Sequence, residues 1–450
     1  MTSFSTNIIN KYFIINFLFS SLIISFIAGN LVLNLNVVLI IITSIIFFKK
    51  SIFQFELDIF DKILIILFTY ILLSSALNNI YYYKEGSIDD FSIFLKSLLF
   101  LRFLLFYFVV KFLIIENIIN LKIFFLTAFV GVTFVCLDIV YQLATGYDIF
   151  GYIALNRNLS GPFGDELIAG SFIQRFSIIA LFLIPIFYKF KKNYYKYMLT
   201  FTLICLYLFA LILSGNRVPM AFFILIIAGI IIFEQKLRKL LLPFILIISS
   251  IIFLTFTLNE NYRLHLLTFI ESTKAVFLPL SSKNLLTNEE VEEYKNLETN
   301  DLEFYTFEYK DKKYKMTNVY HKEFKTGYIL WSDKKLFGGG MKSFKVNCPK
   351  AKINCNKHPH NYYLEILAIL GLFGFFIIFI LFSLLFMKTF FAKYFKNSNL
   401  NHYHLITPFI FLFFAEIFPI KSTGSFFTTG NATYIFLLLS IIIPLSKVKN

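Results

Sequence analysis

Two histidines, His358 and His360, stand one residue apart immediately before an apolar run of membrane-spanning length. Histidine is scarce in this chain, which has 6 in total. A neutral imidazole accepts a proton from a hydroxyl group near neutral pH, so this pair could activate an alcohol as a nucleophile. A purely structural role is the alternative, because two histidines at this spacing are a weak signal by themselves.

Three arginines form the second group of residues suited to chemistry. Arg175, Arg217 and Arg263 each lie at one end of a predicted apolar helix, in a chain whose other basic residues are mostly lysine. A guanidinium group presents planar, bidentate donors that match a phosphate. Anchoring in the lipid headgroup layer or an internal ion pair is the alternative. Asp165 and Glu166 precede the helix of Arg175, and they could orient that arginine or bind a sugar.

Two cysteines, Cys348 and Cys355, lie close to the histidine pair with six residues between them. The topology derived below puts them in a compartment that permits disulfides, so we predict that they pair. Zinc binding together with His358 and His360 is the alternative, although this spacing is not a usual zinc pattern. The prediction is therefore a disulfide and no metal.

Membrane helices must position all of these residues. Hydrophobic residues make up 58% of the 450 positions and charged residues 15%, whereas soluble domains carry about a quarter charged residues. Apolar runs recur along the chain and predict about 12 transmembrane helices, the first of them retained rather than cleaved as a signal peptide. The predicted spans are 12–28, 31–48, 62–78, 93–112, 122–143, 168–188, 197–213, 218–233, 240–258, 363–387, 405–420 and 427–446. The fold class is therefore an all-α polytopic membrane protein.

The loops between these spans indicate their orientation. Lysine and arginine concentrate in alternate loops, such as 189–196 and 236–239, and at the C-terminus. Because basic loops stay on the cytoplasmic side, both termini are predicted to be cytoplasmic. The net charge of +15 follows largely from these loops, so it does not indicate a nucleic-acid partner.

One long polar segment interrupts the series of spans. The chain divides into residues 1–258 with nine helices, residues 259–362 as a large outer loop of short helices, and residues 363–450 with three helices. Within the loop, 288–297 and 317–336 are predicted to be short helices. The histidine pair ends this loop, so the loop and the next span meet at the predicted outer membrane surface.

Four sequence elements in this order resemble those of the O-antigen ligase and polymerase superfamily. They are Ser160-Gly-Pro-Phe-Gly-Asp-Glu, Ser214-Gly-Asn-Arg, Leu336-Phe-Gly-Gly-Gly-Met-Lys-Ser-Phe, and His358-Pro-His-Asn-Tyr-Tyr-Leu followed by Gly371-Leu-Phe-Gly. The resemblance covers roughly residues 155 to 385, and the last element is the most specific. Gly340-Met341 departs from the usual glycine-proline or glycine-asparagine, but no proposed catalytic residue is missing.

The resemblance implies a glycosyltransferase of the bacterial inner membrane, with its large loop in the periplasm. Its donor would be a glycan on a polyprenyl diphosphate, and its acceptor lipid A-core or another saccharide. The family is thought to work without a metal or other cofactor and with inversion at the anomeric carbon. Membrane lipids would surround it, and nucleic acid would not be a partner.

The resemblance also implies roles for individual residues. Arg175 and Arg217 would hold the diphosphate, with Arg263 as a third member of this clamp. His360 would position or deprotonate the acceptor hydroxyl, while His358 and Asn361 would shape its surroundings.

Other functions remain open at this stage. A polymerase that joins repeat units has the same motifs, although the single large outer loop favours a ligase. A protein-glycosylating transferase is a third possibility. A secondary transporter or flippase would be expected to show internal repeats, broken helices and ionisable residues at the bilayer midplane, whereas the residues singled out above cluster at one membrane face.

Overall fold

A computed structural model describes most of the chain. The described residues are 2–54, 56–86, 88, 90–153, 159–188, 192–241, 250, 267, 304–309, 312–317, 319–347, 358–395, 403–419, 421 and 424–447. Within them, 8 helices are long and apolar enough to cross a membrane, and three shorter apolar helices span Arg217–Phe233, Leu405–Glu416 and Thr429–Leu445. The predicted ninth span, 240–258, lies almost entirely outside the described residues. The protein is a polytopic membrane protein with a helical membrane region.

Sixteen helices and two strands are labelled here in chain order. They are α1 Thr2–Ala28, α2 Asn30–Phe48, α3 Ile59–Lys84, α4 Ser92–Phe100, α5 Arg102–Ile115, α6 Leu121–Thr145, α7 Ala169–Phe187, α8 Asn193–Leu213, α9 Arg217–Phe233, α10 Gln235–Leu241, β1 Phe304–Tyr309, β2 Lys312–Thr317, α11 Val319–Asp333, α12 Ser343–Asn347, α13 Tyr362–Phe386, α14 Ala392–Phe395, α15 Tyr403–Glu416 and α16 Thr429–Leu445. Helix ends predicted to face the periplasm are called outer ends below, and the opposite ends inner ends.

A buried ionic network joins three inner ends. Lys111 of α5 pairs with Asp61 of α3 at 2.6 Å and with Asp58 at 2.7 Å, and Lys447 after α16 also pairs with Asp58. Burial alone would raise the pKa of Asp58, but hydrogen bonds from the two lysines lower it to about 2. Asp58 also caps α3, because its carboxylate accepts from the backbone N–H groups of Phe60 and Asp61.

A second network joins other inner ends. Glu234, which follows α9, accepts hydrogen bonds from Lys393, Tyr394 and Thr407. Together the two networks connect chain segments that the loop charges predicted to lie on one membrane face. The grouping of the ends agrees with alternating spans, while the absolute orientation stays a prediction.

Helix α13 is broken at Gly371, where the backbone has φ 66° and ψ −168°. The segment 335–340, which follows α11, fills this break. Its Gly339 and Gly340 N–H groups donate to the α13 carbonyls of Ala368 and Ile369 at 2.9 and 2.8 Å. In return, two N–H groups of α13 beyond the break donate to carbonyls of the segment. Non-helical backbone at membrane depth is tolerated only where protein satisfies it, and here the two segments satisfy each other.

Only glycine fits where these backbones meet. A Cβ atom on Gly371 would lie 2.4 Å from the Leu336 carbonyl oxygen, and one on Gly338 would lie 2.4 Å from the Gly371 nitrogen. Helix α3 completes the contact, since the Tyr70 hydroxyl donates to the carbonyl oxygens of Phe337 and Leu370 at 3.0 and 2.7 Å. Part of the predicted outer loop is therefore built into the membrane domain.

The rest of the outer segment differs from the expected series of short helices. Helix α11 lies within the predicted 317–336, but β1 and β2 form an antiparallel hairpin before it. The β1 sequence is rich in aromatic residues, which favour strands over helices, and β2 pairs with it although three of its six residues are lysine. The predicted helix 288–297 lies outside the described residues.

Candidate functional site

Arg175 lies in the outer half of α7 and is held by an internal ion pair. Its Nη2 atom is 2.5 Å from Oε1 of Glu416, and its Nε atom is 3.2 Å from Oε2. Nη2 also donates to Oδ1 of Asn431 at 2.6 Å, and the guanidinium lies 4.9 Å from the ring centroid of Tyr434. These contacts fix the planar group, and Nη1 makes no hydrogen bond with the described residues.

A second cation shares the same carboxylate. Lys421 Nζ is 2.7 Å from Oε2 of Glu416, and the side chains of the two residues are only 6% and 0% exposed. Burial lowers the pKa of Lys421 below its ordinary value, although the charge of Glu416 counteracts this. With Arg175 the cluster holds two cations around one carboxylate. Its excess positive charge is concentrated at an outer end, in low-dielectric surroundings that strengthen its effect.

The histidine segment is tied to this cluster from the other side. The Tyr362 hydroxyl donates to Oε1 of Glu416 at 2.7 Å, the same oxygen that Arg175 contacts. Next to Tyr362, Asn361 donates from Nδ2 to the Pro419 carbonyl at 2.8 Å. Glu416 therefore brings α7, α13 and the end of α15 together, and it holds Arg175 beside the segment that carries the histidines.

His360 has an unusual backbone conformation, with φ 52°. Residues other than glycine adopt this left-handed region rarely, and at functional sites the surrounding structure often imposes it. The constraint here is the start of α13, because Asn361 caps that helix by accepting from the N–H groups of Tyr363 and Leu364 at 3.0 and 3.1 Å. The centroids of the His358 and His360 rings are 4.3 Å apart. The start of α13 therefore holds the imidazole rings of His358 and His360 close together.

Helix α11 packs directly against this segment. A Cβ atom on Gly327 would lie 2.9 Å from Cβ of Pro359 and 3.3 Å from Cβ of Leu364. Glycine thus permits the outer helix to contact the residues on either side of the second histidine. Helix α11 covers the histidine segment.

Arg217 is the first residue of α9 and is exposed. The turn before it packs on the start of α7, where a Cβ atom on Gly170 would lie 2.6 Å from Cβ of Asn216 and 2.7 Å from Oγ of Ser214. Arg175 lies further along the same helix. The sequence elements carrying Arg175 and Arg217 are therefore in direct contact through Gly170, and their arginines lie on adjoining elements.

Asp165 and Glu166 precede α7 and are both exposed. Glu416 takes the orienting role toward Arg175 that was considered for either of them. A role for them in binding acceptor sugar stays a prediction.

Arg263, Cys348 and Cys355 lie outside the described residues, so the third arginine and the disulfide stay predictions as well. Among the described side chains, no group of three or more His, Cys, Asp or Glu residues could hold a metal.

Several buried polar residues of this region were not predicted as site residues. Glu365 accepts from Oγ of Ser425 at 2.5 Å and from the Phe426 N–H at 2.6 Å. The Ser425 carbonyl in turn accepts from Nδ2 of Asn431 at 2.7 Å, and Asn431 binds Arg175. A continuous polar network therefore runs from α13 to α7. The sequence could have indicated Lys421 as a site residue, because it is a lysine in an outer loop that is otherwise poor in basic residues.

Comparison with known proteins gives a match to a family model. A family model described as O-antigen ligase matches residues 200–379. The matched region contains the turn before Arg217, the segment 335–340 and the histidine segment, while Arg175 and Glu416 lie outside it. No curated protein matches the chain.

Proposed function

We propose that this chain transfers a glycan from a polyprenyl diphosphate to an acceptor hydroxyl. The premise is its assignment to the O-antigen ligase superfamily, which rests on the match of residues 200–379 to the family model. The reaction would take place at the periplasmic face of the bacterial inner membrane, with lipid A-core or another saccharide as the acceptor. One observation carries the proposal. Glu416 is contacted by both Arg175 and Tyr362, so a fixed arginine lies beside the histidine segment.

The cations would stabilise the leaving group. As the bond between the anomeric carbon and the diphosphate oxygen breaks, its electron pair and negative charge move to the diphosphate. Arg217, exposed at an outer end, would contact the phosphates directly. Arg175 and Lys421, both held in place by Glu416, would add a fixed positive potential near the diphosphate. These side chains would not have to move during the reaction.

His360 would act on the acceptor. The acceptor oxygen forms the new bond to the anomeric carbon, and His360 would take the proton that this oxygen loses. Attack from the face opposite the diphosphate gives inversion. Neither half of this reaction needs a metal, because arginines supply the positive charge and an imidazole supplies the base. Helix α11, packed over the histidine segment, would help to exclude water and so limit hydrolysis.

A transporter is less well supported. Transporters use broken helices whose freed backbone groups bind ions or substrate near the midplane. In α13 the backbone groups freed at Gly371 are bonded to the segment 335–340 and to Tyr70 instead. This break therefore offers no carbonyl site of that kind.

Transfer by the purified protein tests the proposal. The full chain would be reconstituted with a polyprenyl-diphosphate-linked glycan and lipid A-core, and glycosylated product measured on a gel. We expect His360→Ala and Arg217→Ala each to reduce the rate by roughly a hundredfold or more. Arg238→Ala, which removes an exposed arginine at an inner end, is the matched control and should retain full activity. Full activity of both site variants would exclude these roles.

The same assay separates a ligase from a polymerase. A ligase adds the preassembled glycan to lipid A-core, whereas a polymerase lengthens the lipid-linked glycan without using lipid A-core. The single long outer segment supports the ligase, and a product that grows only on the polyprenyl carrier would establish the polymerase instead.

A further inference from the structure

Two basic side chains inside the membrane region differ from the other buried cations in their pairing with the described residues. Lys111, Arg175, Lys393 and Lys421 all form salt bridges with carboxylates. Lys96 in α4 and Arg102 in α5 are half-buried, and neither forms a salt bridge with the residues that the structure describes. Charges within a membrane span are costly, and they usually face partners, water or a ligand. Neither cation therefore has a carboxylate within salt-bridge distance among the described residues, and each can take an anionic partner.

The immediate surroundings of Arg102 offer few acceptors. Its Nη1 donates to the Leu99 carbonyl at 2.9 Å, and Nη2 is 3.4 Å from Oγ1 of Thr429 at the start of α16. Asn34 of α2 donates to that same hydroxyl at 3.2 Å. The Nε atom of Arg102 and Oδ1 of Asn34 are buried without a hydrogen-bond partner among the described residues. One hydroxyl is thus shared by two donor groups, and a buried guanidinium donor is left over.

Further charges near this point are mostly positive. Lys96 lies within electrostatic range of Arg102 and of the exposed Lys342. The stretch just before Lys342 packs on α4 one turn from Lys96, since a Cβ atom on Gly340 would lie 3.2 Å from Cγ2 of Ile93.

Glu365 is the one carboxylate in range of Lys96, and its two oxygens already accept from Ser425 and Phe426. The exposed Asp90 lies in electrostatic range of Lys342. Three cations therefore face two carboxylates, and an anion would relieve both the repulsion and the unused donor.

We propose that Lys96 and Arg102, with Lys342 at the rim, bind a phosphate group of a membrane lipid. A guanidinium and two ammonium groups match a phosphate in charge and in hydrogen-bond donors. Leu99 on α4 and Leu105 on α5 are 54% and 39% exposed, and they lie closer to the bilayer centre than Lys96 and Arg102, respectively. A phosphorylated lipid can lay its acyl chains along these leucines while its headgroup reaches the cations. A free phosphate would gain nothing from that apolar surface.

This phosphate site borders the candidate transfer site without coinciding with it. Arg102 contacts Thr429 and Arg175 contacts Asn431, so the two arginines are attached to different residues in the first turn of α16. A phosphorylated glycolipid anchored at Arg102 would hold its sugar near His360. The identification of this lipid as the acceptor rests on the proposed function, whereas the presence of a phosphate site does not.

Lipid binding without any donor tests the site. The purified full chain in detergent would be titrated with bis-phosphorylated lipid A, its dephosphorylated form, phosphatidylglycerol and phosphatidylcholine. Losing charge-assisted hydrogen bonds to a phosphate should weaken binding about tenfold for each residue, so we expect this loss in Lys96→Gln and in Arg102→Gln. Arg238→Gln, at an inner end, is the control for charge removal.

The outcomes identify the source of the phosphate. Loss of lipid A binding with unchanged phosphatidylglycerol binding supports an acceptor site, and equal loss of both supports a site for bulk anionic lipid. Variants that elute and melt like the native protein yet bind every lipid as tightly as it does overturn the proposal. Lys96→Gln keeps the test decisive if Arg102→Gln fails to fold. Because no donor is present, these results do not depend on whether the protein transfers glycans.

Discussion

At the scale of single residues, Glu416 is the group on which the candidate site depends. Its carboxylate is fully buried and holds two cations and one tyrosine hydroxyl from three parts of the chain. Removing one partner of a buried ionic cluster leaves uncompensated charge, which costs more than the cluster itself contributes. Glu416 is thus expected to matter for stability first and for activity as a consequence.

Glu416→Gln tests this expectation. The substitution keeps the shape of the side chain but leaves Arg175 and Lys421 buried without a counter-charge, so we expect a loss of about 3–5 kcal/mol in the free energy of unfolding. Thermal unfolding in detergent measures it. Glu166→Gln, the same change at an exposed position before α7, should melt like the native protein. Equal melting temperatures for both variants would mean that the ionic cluster does not stabilise the fold.

Sequence reasoning reached some of these residues and missed others. Arg175, Arg217 and His360 were singled out by their types and positions and were given roles by the family resemblance, and the structure locates Arg175 beside the histidine segment. Sequence reasoning could not predict that Glu416 and Lys421 would contact Arg175, because such contacts join segments that are far apart in the chain. Asp165 and Glu166 were considered for that role because they are near Arg175 in sequence, whereas its partner comes from α15.

At the scale of elements, α13 and the segment 335–340 act as one unit. Each supplies the hydrogen bonds that the other lacks, and each has a glycine where the backbones touch. The sequence motifs containing Gly338 and Gly371 were noted separately. Nothing in a helical pattern indicates that a loop glycine and a span glycine face one another, since that depends on packing in three dimensions.

Gly371→Ala tests the contact between these elements. The added methyl group would lie 2.4 Å from the Leu336 carbonyl oxygen, so α13 and the segment must separate and lose hydrogen bonds. Gly86→Ala is the matched control, because Gly86 also has positive φ but nothing lies within 4 Å of its Cβ position. We expect the control to lose about 1–2 kcal/mol through backbone strain alone, and Gly371→Ala to lose clearly more, measured by thermal unfolding. Equal losses would contradict a close approach.

At the scale of the whole molecule, the ionic networks and the loop charges agree on which helix ends lie together. Asp58, Lys111 and Lys447 meet at one membrane face, and Arg175, Glu416 and Tyr362 meet at the other. The membrane region was predictable because apolar length and basic loops are local properties of the sequence. The β-hairpin was not, since the short outer segments carry no comparable periodic signal.

Cysteine labelling tests the absolute orientation. In a chain whose four native cysteines are replaced by alanine, Tyr83→Cys would lie at an outer end and Tyr195→Cys at an inner end, both at exposed positions. We expect a membrane-impermeant maleimide to label Tyr83→Cys in intact spheroplasts and Tyr195→Cys only after permeabilisation. The reverse pattern would put the histidine segment in the cytoplasm, where the proposed reaction could not use periplasmic lipid-linked glycans.

The break in α13 also bears on how the protein is made. As α13 enters the bilayer, its carbonyls at Ala368 and Ile369 have no partners unless the stretch synthesised just before it has already crossed and turned back. Released alone into lipid, this span would expose bare peptide groups to hydrocarbon. Translocation of the long segment must therefore precede the release of the span that follows it, which makes that segment a requirement for biogenesis as well as a cover for the histidines.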